Sequence, residues 1–228
     1  QTLLPDRIIL WLSEEQFPNH QVPRDLYDLQ DQLFVIRYVH GDLRSHKKYY
    51  YAMSEFPDHI LITCDDDVFY PTDMLESLVL TSQKYKGCVI ANCTSKICYD
   101  KNGNLLPYVY WKRVNDAYSK ENILQIGVGG VLYPPSSLYP GLTLNSDIFM
   151  NVAPMADDIW LNAMARLNNT PIVQSSNNFL PLPVFSQSQP LSSINVGAEG
   201  LNDKQISSLR CFLKENEFAD VYDISQIY

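Results

Sequence analysis

The sequence predicts an α/β protein built on a mostly parallel sheet with flanking helices. Three observations carry that expectation. Short apolar, β-branched runs alternate with segments of helical spacing through the first half, as βαβ units require. One such run, HILITC (59–64), leads straight into Asp65, Asp66 and Asp67. Of the 228 residues, 46% are hydrophobic, enough for one substantial core, so residues 1–228 are expected to form a single domain.

Each element follows from local pattern. RIILWL (7–12) is a short apolar strand. PRDLYDLQDQL (23–33) has helical spacing after a proline that suits a first turn. FVIRYV (34–39) is β-branched and apolar, hence a strand. SHKKYYYAMSEF (45–56) is expected to be a helix capped by Ser45. HILITC is the third strand. TDMLESLVLTSQKY (72–85) is a helix with Leu75, Leu78 and Val79 on one face, and GCVIANC (87–93) is a fourth strand.

The second half changes character. YDKNGNLLPYVYW (99–111) carries an Asn-Gly turn and predicts a hairpin. ILQIGVGGVLYPP (123–135) is a glycine-containing strand stopped by two prolines. ADDIWLNAMARLNN (156–169) is an amphipathic helix with two acids in its first turn, and TPIVQS (170–175) is a last strand. Residues 176–200, rich in Ser, Asn, Pro and Gln, are expected to be a loop. NDKQISSLRCFLKENEF (202–218) is a helix, with Asn202 and Gln205 forming a loose capping box. The opening QTLLPDRIILWL reads as the end of one element followed by a strand, as expected of a trimmed chain.

Charge and cysteine narrow the function classes. Lys plus Arg number 17 against 26 Asp plus Glu, a net charge of −9 that argues against nucleic acid as a partner. No apolar run approaches the ~18 residues that span a bilayer. Five cysteines, an odd number, point to a reducing compartment. Cys88, Cys93 and Cys98 lack the paired spacing of zinc sites and read as small buried hydrophobes.

Four stretches carry candidate chemistry. Asp65–Asp67 end a strand, and ligands of open α/β sheets bind beyond such ends. Alternate residues of an extended segment point the same way, so Asp65 and Asp67 can converge on one hard divalent ion, Mn2+ or Mg2+. A solvated acidic turn is the plainer alternative. DLRSHKKYYY (42–51) gathers Arg44, His46, Lys47 and Lys48 at a helix start, where anions are favoured; an exposed basic face is the alternative. Gly129 and Gly130 in GVGG (127–130) permit close approach of a bulky substrate or of a neighbouring backbone. Asp157 and Asp158 head a helix, either as dipole partners or as a general base for an attacking hydroxyl. Tyr108, Tyr110, Trp111 and Trp160 can stack on sugar faces or fill a core.

As a set, SHKKYYYA, DDDVFYP, GVGGVLYPP and ADDIWL, in that order, resemble GT-A-fold glycosyltransferases, in particular bacterial enzymes of polysaccharide and lipopolysaccharide gene clusters. The resemblance covers most of residues 1–175. It implies a GT-A-like (Rossmann-like) sheet lacking its first strand and helix, with a donor-nucleotide and metal half (1–95), an acceptor half (96–175), and a loop plus C-terminal helix (176–228). It implies a nucleotide-diphosphate sugar donor and a glycan or glycolipid acceptor. Asp67 and Asp65 would hold the metal, and Asp65, Asp66, Lys47 and Lys48 the nucleotide. Asp158, or its neighbour Asp157, would be the base. Gly129, Gly130 and Trp160 would line the sugar or acceptor pocket. The setting it implies is cytoplasmic, at the inner face of the membrane. A sugar-phosphate nucleotidyltransferase and a non-enzymatic acidic binding module are the alternatives.

Overall fold

The computed structural model describes residues 1–114, 122–175, 182–184 and 200–226. The expected loop at 176–200 lies mostly outside them. Eleven short strands and six helices are found among the described residues. β1 (Ile8–Ser13) pairs in parallel with β2 (Phe34–Val39) over six residues. The stretch between them shortens to a four-residue helix α1 (Arg24–Tyr27). Polar side chains end it: Asp31 accepts from the Leu33 and Phe34 N–H groups, and Gln30 from that of Ile36.

A 3-10 turn at Arg44–His46 leads into α2 (Lys47–Glu55). Ser45 therefore lies before the helix and does not cap it. β3 (Leu61–Thr63) follows, then the two-residue β4 (Val68–Phe69), α3 (Met74–Lys84) and β5 (Val89–Ala91). β6 (Thr94–Lys96), β7 (Lys112–Arg113) and β8 (Ile123–Gln125) form a small antiparallel sheet in the order β7-β6-β8. The expected Asn-Gly hairpin contracts to one bridge, Tyr99 to Leu105, around an Asp100 carboxylate that accepts from the Asn102 and Asn104 N–H groups.

The larger sheet is mixed rather than mostly parallel. Its order is β10-β5-β9-β3, where β9 is Val131–Tyr133 and β10 is Ile172–Gln174. β10 runs parallel to β5, but β9 runs antiparallel to both β5 and β3. The expected single strand at 123–135 is two strands in different sheets, broken by a 3-10 turn at Gly127–Gly129. The reversal there sends β9 back between β3 and β5.

Helices α4 (Ser146–Val152), α5 (Asp157–Leu167) and α6 (Leu201–Glu215) complete the fold. α6 starts from Gly200 in the left-handed conformation, φ +54, so Asn202 falls inside it; Gln205 accepts the Met155 N–H instead of closing a capping box. The main core joins α4, α5 and α6 to β5, β8 and β9, with Tyr49 of α2, Phe149 and Trp160 wholly buried. β1 and β3 are each the edge of a sheet. Both edges border one cleft, and α2 packs against both strands. β4 pairs with β11 (Leu182–Pro183) beside the acid triplet.

Candidate functional site

A cleft of ≈ 1860 Å³ runs along Ile8–Trp11 of β1 and along β3, and takes in the turn at the carboxyl end of β3. Asp65, Asp66 and Asp67 enter it from the turn after β3. Lys47 and Lys48 enter from α2, and Asp157 and Asp158 from the start of α5. Three groups that the sequence singles out separately are therefore brought together.

Lys48 is the centre of the arrangement. Its Nζ lies 2.6 Å from Asp65 Oδ1 and 3.2 Å from Asp157 Oδ2. One ammonium thus ties the acid triplet to the head of α5. Burial works against the lysine charge, but Asp157, Asp65 and Asp158 outweigh it and hold its pKa well above the usual range. The Asp65 N–H donates to the Tyr70 hydroxyl at 2.8 Å, which fixes the turn from the other side.

Asp158 is anchored by backbone. The Gly127 N–H lies 3.0 Å from both of its carboxylate oxygens. Gly127 must be glycine for this approach, because a Cβ there would stand 2.9 Å from Asp158 Oδ1. The Asp158 carbonyl accepts from Gln125 Nε2, whose own Oε1 accepts from Asn162 Nδ2 one turn along α5. Desolvation first, and then the neighbouring Asp157 carboxylate, push the Asp158 carboxyl up to about 7; Lys48 and the Gly127 N–H pull the other way. The carboxyl group therefore exchanges its proton near neutrality, the range a general base requires. The Tyr108 hydroxyl is pushed up by burial and by Asp158.

Asp66 and Asp67 are exposed, and their side chains have no hydrogen-bond or ion-pair partner among the described residues. The Asp67 carbonyl accepts from the Val184 N–H at 2.7 Å. Among the described residues no three His, Cys, Asp or Glu side chains converge as a metal cage. None of the five cysteines forms a disulfide, and Cys93 is buried. Asp65 and Asp67 do present hard carboxylate oxygens, the donor type that fits Mn2+ or Mg2+ when water and phosphate oxygens complete the shell.

Other expected site residues stand elsewhere. Lys47 borders the cleft but is paired with Asp42 at 2.7 Å and bonded to Gln16 Oε1 at 3.0 Å. His46 is buried, stacked on Phe149, with its ring nitrogens satisfied by the Tyr49 hydroxyl and the Ala153 carbonyl; it takes no part in an anion site. Gly129 and Gly130 are buried and do not line the cleft. A Cβ on Gly129 would stand 2.6 Å from Cys93 Sγ, and Gly130, at φ +84, packs against Met74. Their role is close packing; Ile126 and Val128 are the residues of that turn that face the cleft. Trp160 is wholly buried, its Nε1–H donating to the Thr143 carbonyl, and cannot meet a sugar.

Sequence reasoning missed Gly127, Gln125 and Asn162 as the support of Asp158. The first of the three glycines in GVGG was the available signal. It follows a strand and breaks it, and so marks a turn rather than a strand interior.

Compared with protein-family models, curated proteins and solved structures, the chain matches none. Among the described residues no helix is long and apolar enough to cross a membrane.

Proposed function

We propose that this protein is a metal-dependent glycosyltransferase that moves a sugar from a nucleotide-diphosphate sugar to a hydroxyl of a glycan or glycolipid. One observation carries the reading. The acid triplet, two of its members exposed, and the raised-pKa Asp158 border a single cleft, and Lys48 ties Asp65 of the one run to Asp157 of the other. Asp158 takes the proton of the attacking hydroxyl, and the Gly127 N–H holds its carboxylate in place. Lys48 supplies positive charge beside the diphosphate, while Lys47 at the border of the cleft is held by Asp42. Asp67, with Asp65, would hold Mn2+ or Mg2+, which when bound supplies Lewis-acid stabilisation of the departing nucleoside diphosphate.

The reading extends to the fold, which we take as GT-A-like. The edges of β1 and β3 border the same cleft beneath α2, and a strand added between them would join the two sheets into one. A cytoplasmic setting, with a glycolipid acceptor drawing the enzyme to the inner face of the membrane, belongs to the same proposal.

A thermal-shift panel of nucleoside diphosphates, with and without Mn2+, tests it. Stabilisation by one base in the presence of metal is expected; a ligand at 100 times its Kd contributes about 2.7 kcal/mol. No shift with any nucleotide favours an acidic binding module. Product analysis separates the remaining class: release of nucleoside diphosphate supports glycosyl transfer, and release of pyrophosphate supports nucleotidyl transfer.

A further inference from the structure

We infer that Lys48 is a resident counter-ion of the acid triplet, and that a divalent cation takes Asp65 only by displacing the lysine ammonium. Metal binding is thereby made conditional on the donor. The inference rests on the metal reading above and adds its regulation.

Geometry carries it. Asp65 is the least exposed member of the triplet, its side chain 23% accessible, and its Oδ1 already holds Lys48 Nζ at 2.6 Å. An ammonium has three donors and no acceptor, so it cannot share an oxygen with a metal ion without like-charge repulsion. It has a second anchor, Asp157 Oδ2 at 3.2 Å, on a side chain only 12% accessible. A displaced ammonium therefore need not return to water. It shifts its weight from Asp65 to Asp157 and stays in the cleft. A diphosphate arriving with the metal offers that ammonium further oxygens. Metal and donor then favour each other, and either alone meets a site occupied by the protein's own cation. The apparent metal affinity falls by the fraction of molecules in which Lys48 has released Asp65.

Two variants should move the affinity for Mn2+ alone in opposite directions. With free Mn2+ followed by electron paramagnetic resonance on the full chain, Lys48→Met should bind roughly five- to tenfold more tightly than wild type, within the usual range of coupling between sites. Asp157→Asn leaves the ammonium only Asp65 to hold and should bind a few-fold more weakly. Lys48→Arg, which keeps the charge, should stay near wild type. A folded Lys48→Met with unchanged or weaker Mn2+ binding overturns the inference. Should that variant fail to fold, Asp157→Asn decides, and tighter or unchanged binding there overturns it equally. Failure of the underlying metal reading looks different: wild type binds no Mn2+ even with a nucleoside diphosphate present, Asp67→Ala changes nothing, and both readings fall.

Discussion

Asp65–Asp67 and Asp157–Asp158 look alike on paper, each a run of aspartates at the end of a regular element. In the folded chain they differ. The first follows a three-residue strand and turns two of its carboxylates to solvent. The second heads an eleven-residue helix, with Asp157 only 9% exposed and Asp158 pinned to a backbone amide. An exposed carboxylate keeps its charge at little cost and can exchange one cation for another. A desolvated carboxylate beside another acid holds a proton instead. On the proposed function, environment rather than residue type divides charge neutralisation from proton transfer across this cleft.

The largest effect is expected at the exposed run. Asp67→Ala should abolish transfer, a loss of at least ~10²-fold in Mn2+-dependent release of nucleoside diphosphate. Full activity in that variant breaks the comparison. Next, Asp158→Asn should keep donor binding and lower kcat about 10²- to 10⁴-fold, the usual contribution of a general base. If Asp157→Asn shows that pattern instead, the base is one residue earlier. Gly127→Ala sharpens the contrast, because its Cβ would press on Asp158 Oδ1 at 2.9 Å. A displacement of that kind should lower kcat by roughly 10- to 100-fold with KM for the donor nearly unchanged. The wild-type rate should rise with pH through about 7 and then level, as expected of a base that works deprotonated.

How much of this was legible depends on the range of the interactions. FVIRYV gave β2 with its bounds because a β-branched run states its own conformation. The acid-headed helix was equally plain from its amphipathic spacing, and begins within a residue of where the pattern puts it. The orientation of β9 was not legible. It depends on Leu132 pairing with both Ile62 and Ile90, partners that no local pattern identifies. Trp160 and Gly129 failed as site residues for the same reason: an aromatic or a glycine suits a pocket and a core alike, and only tertiary packing against Thr143 or Cys93 decides. Lys48 was legible as a cation but not as a bridge, since its two partners come from two other elements.

The smallest effect concerns stability, and it isolates the buried run alone. The Asp158 carboxyl is raised in the folded chain from 3.8 to about 7, so the folded state holds that proton more tightly than the unfolded one. Its stabilising contribution is complete below the unfolded value and is lost as pH rises through about 7. Asp158→Asn cannot titrate there. The difference in Tm, variant minus wild type, should therefore climb between pH 4 and 7 and flatten above it, by a few degrees for each 1 kcal/mol in a chain of this size. His46 works with the opposite sign, because burial lowers its pKa and its contribution fades as pH falls. It is present in both proteins and cancels in the difference. A difference curve without a step near neutrality would mean that Asp158 is charged throughout. The two acid runs would then be alike in the fold as they are in the sequence.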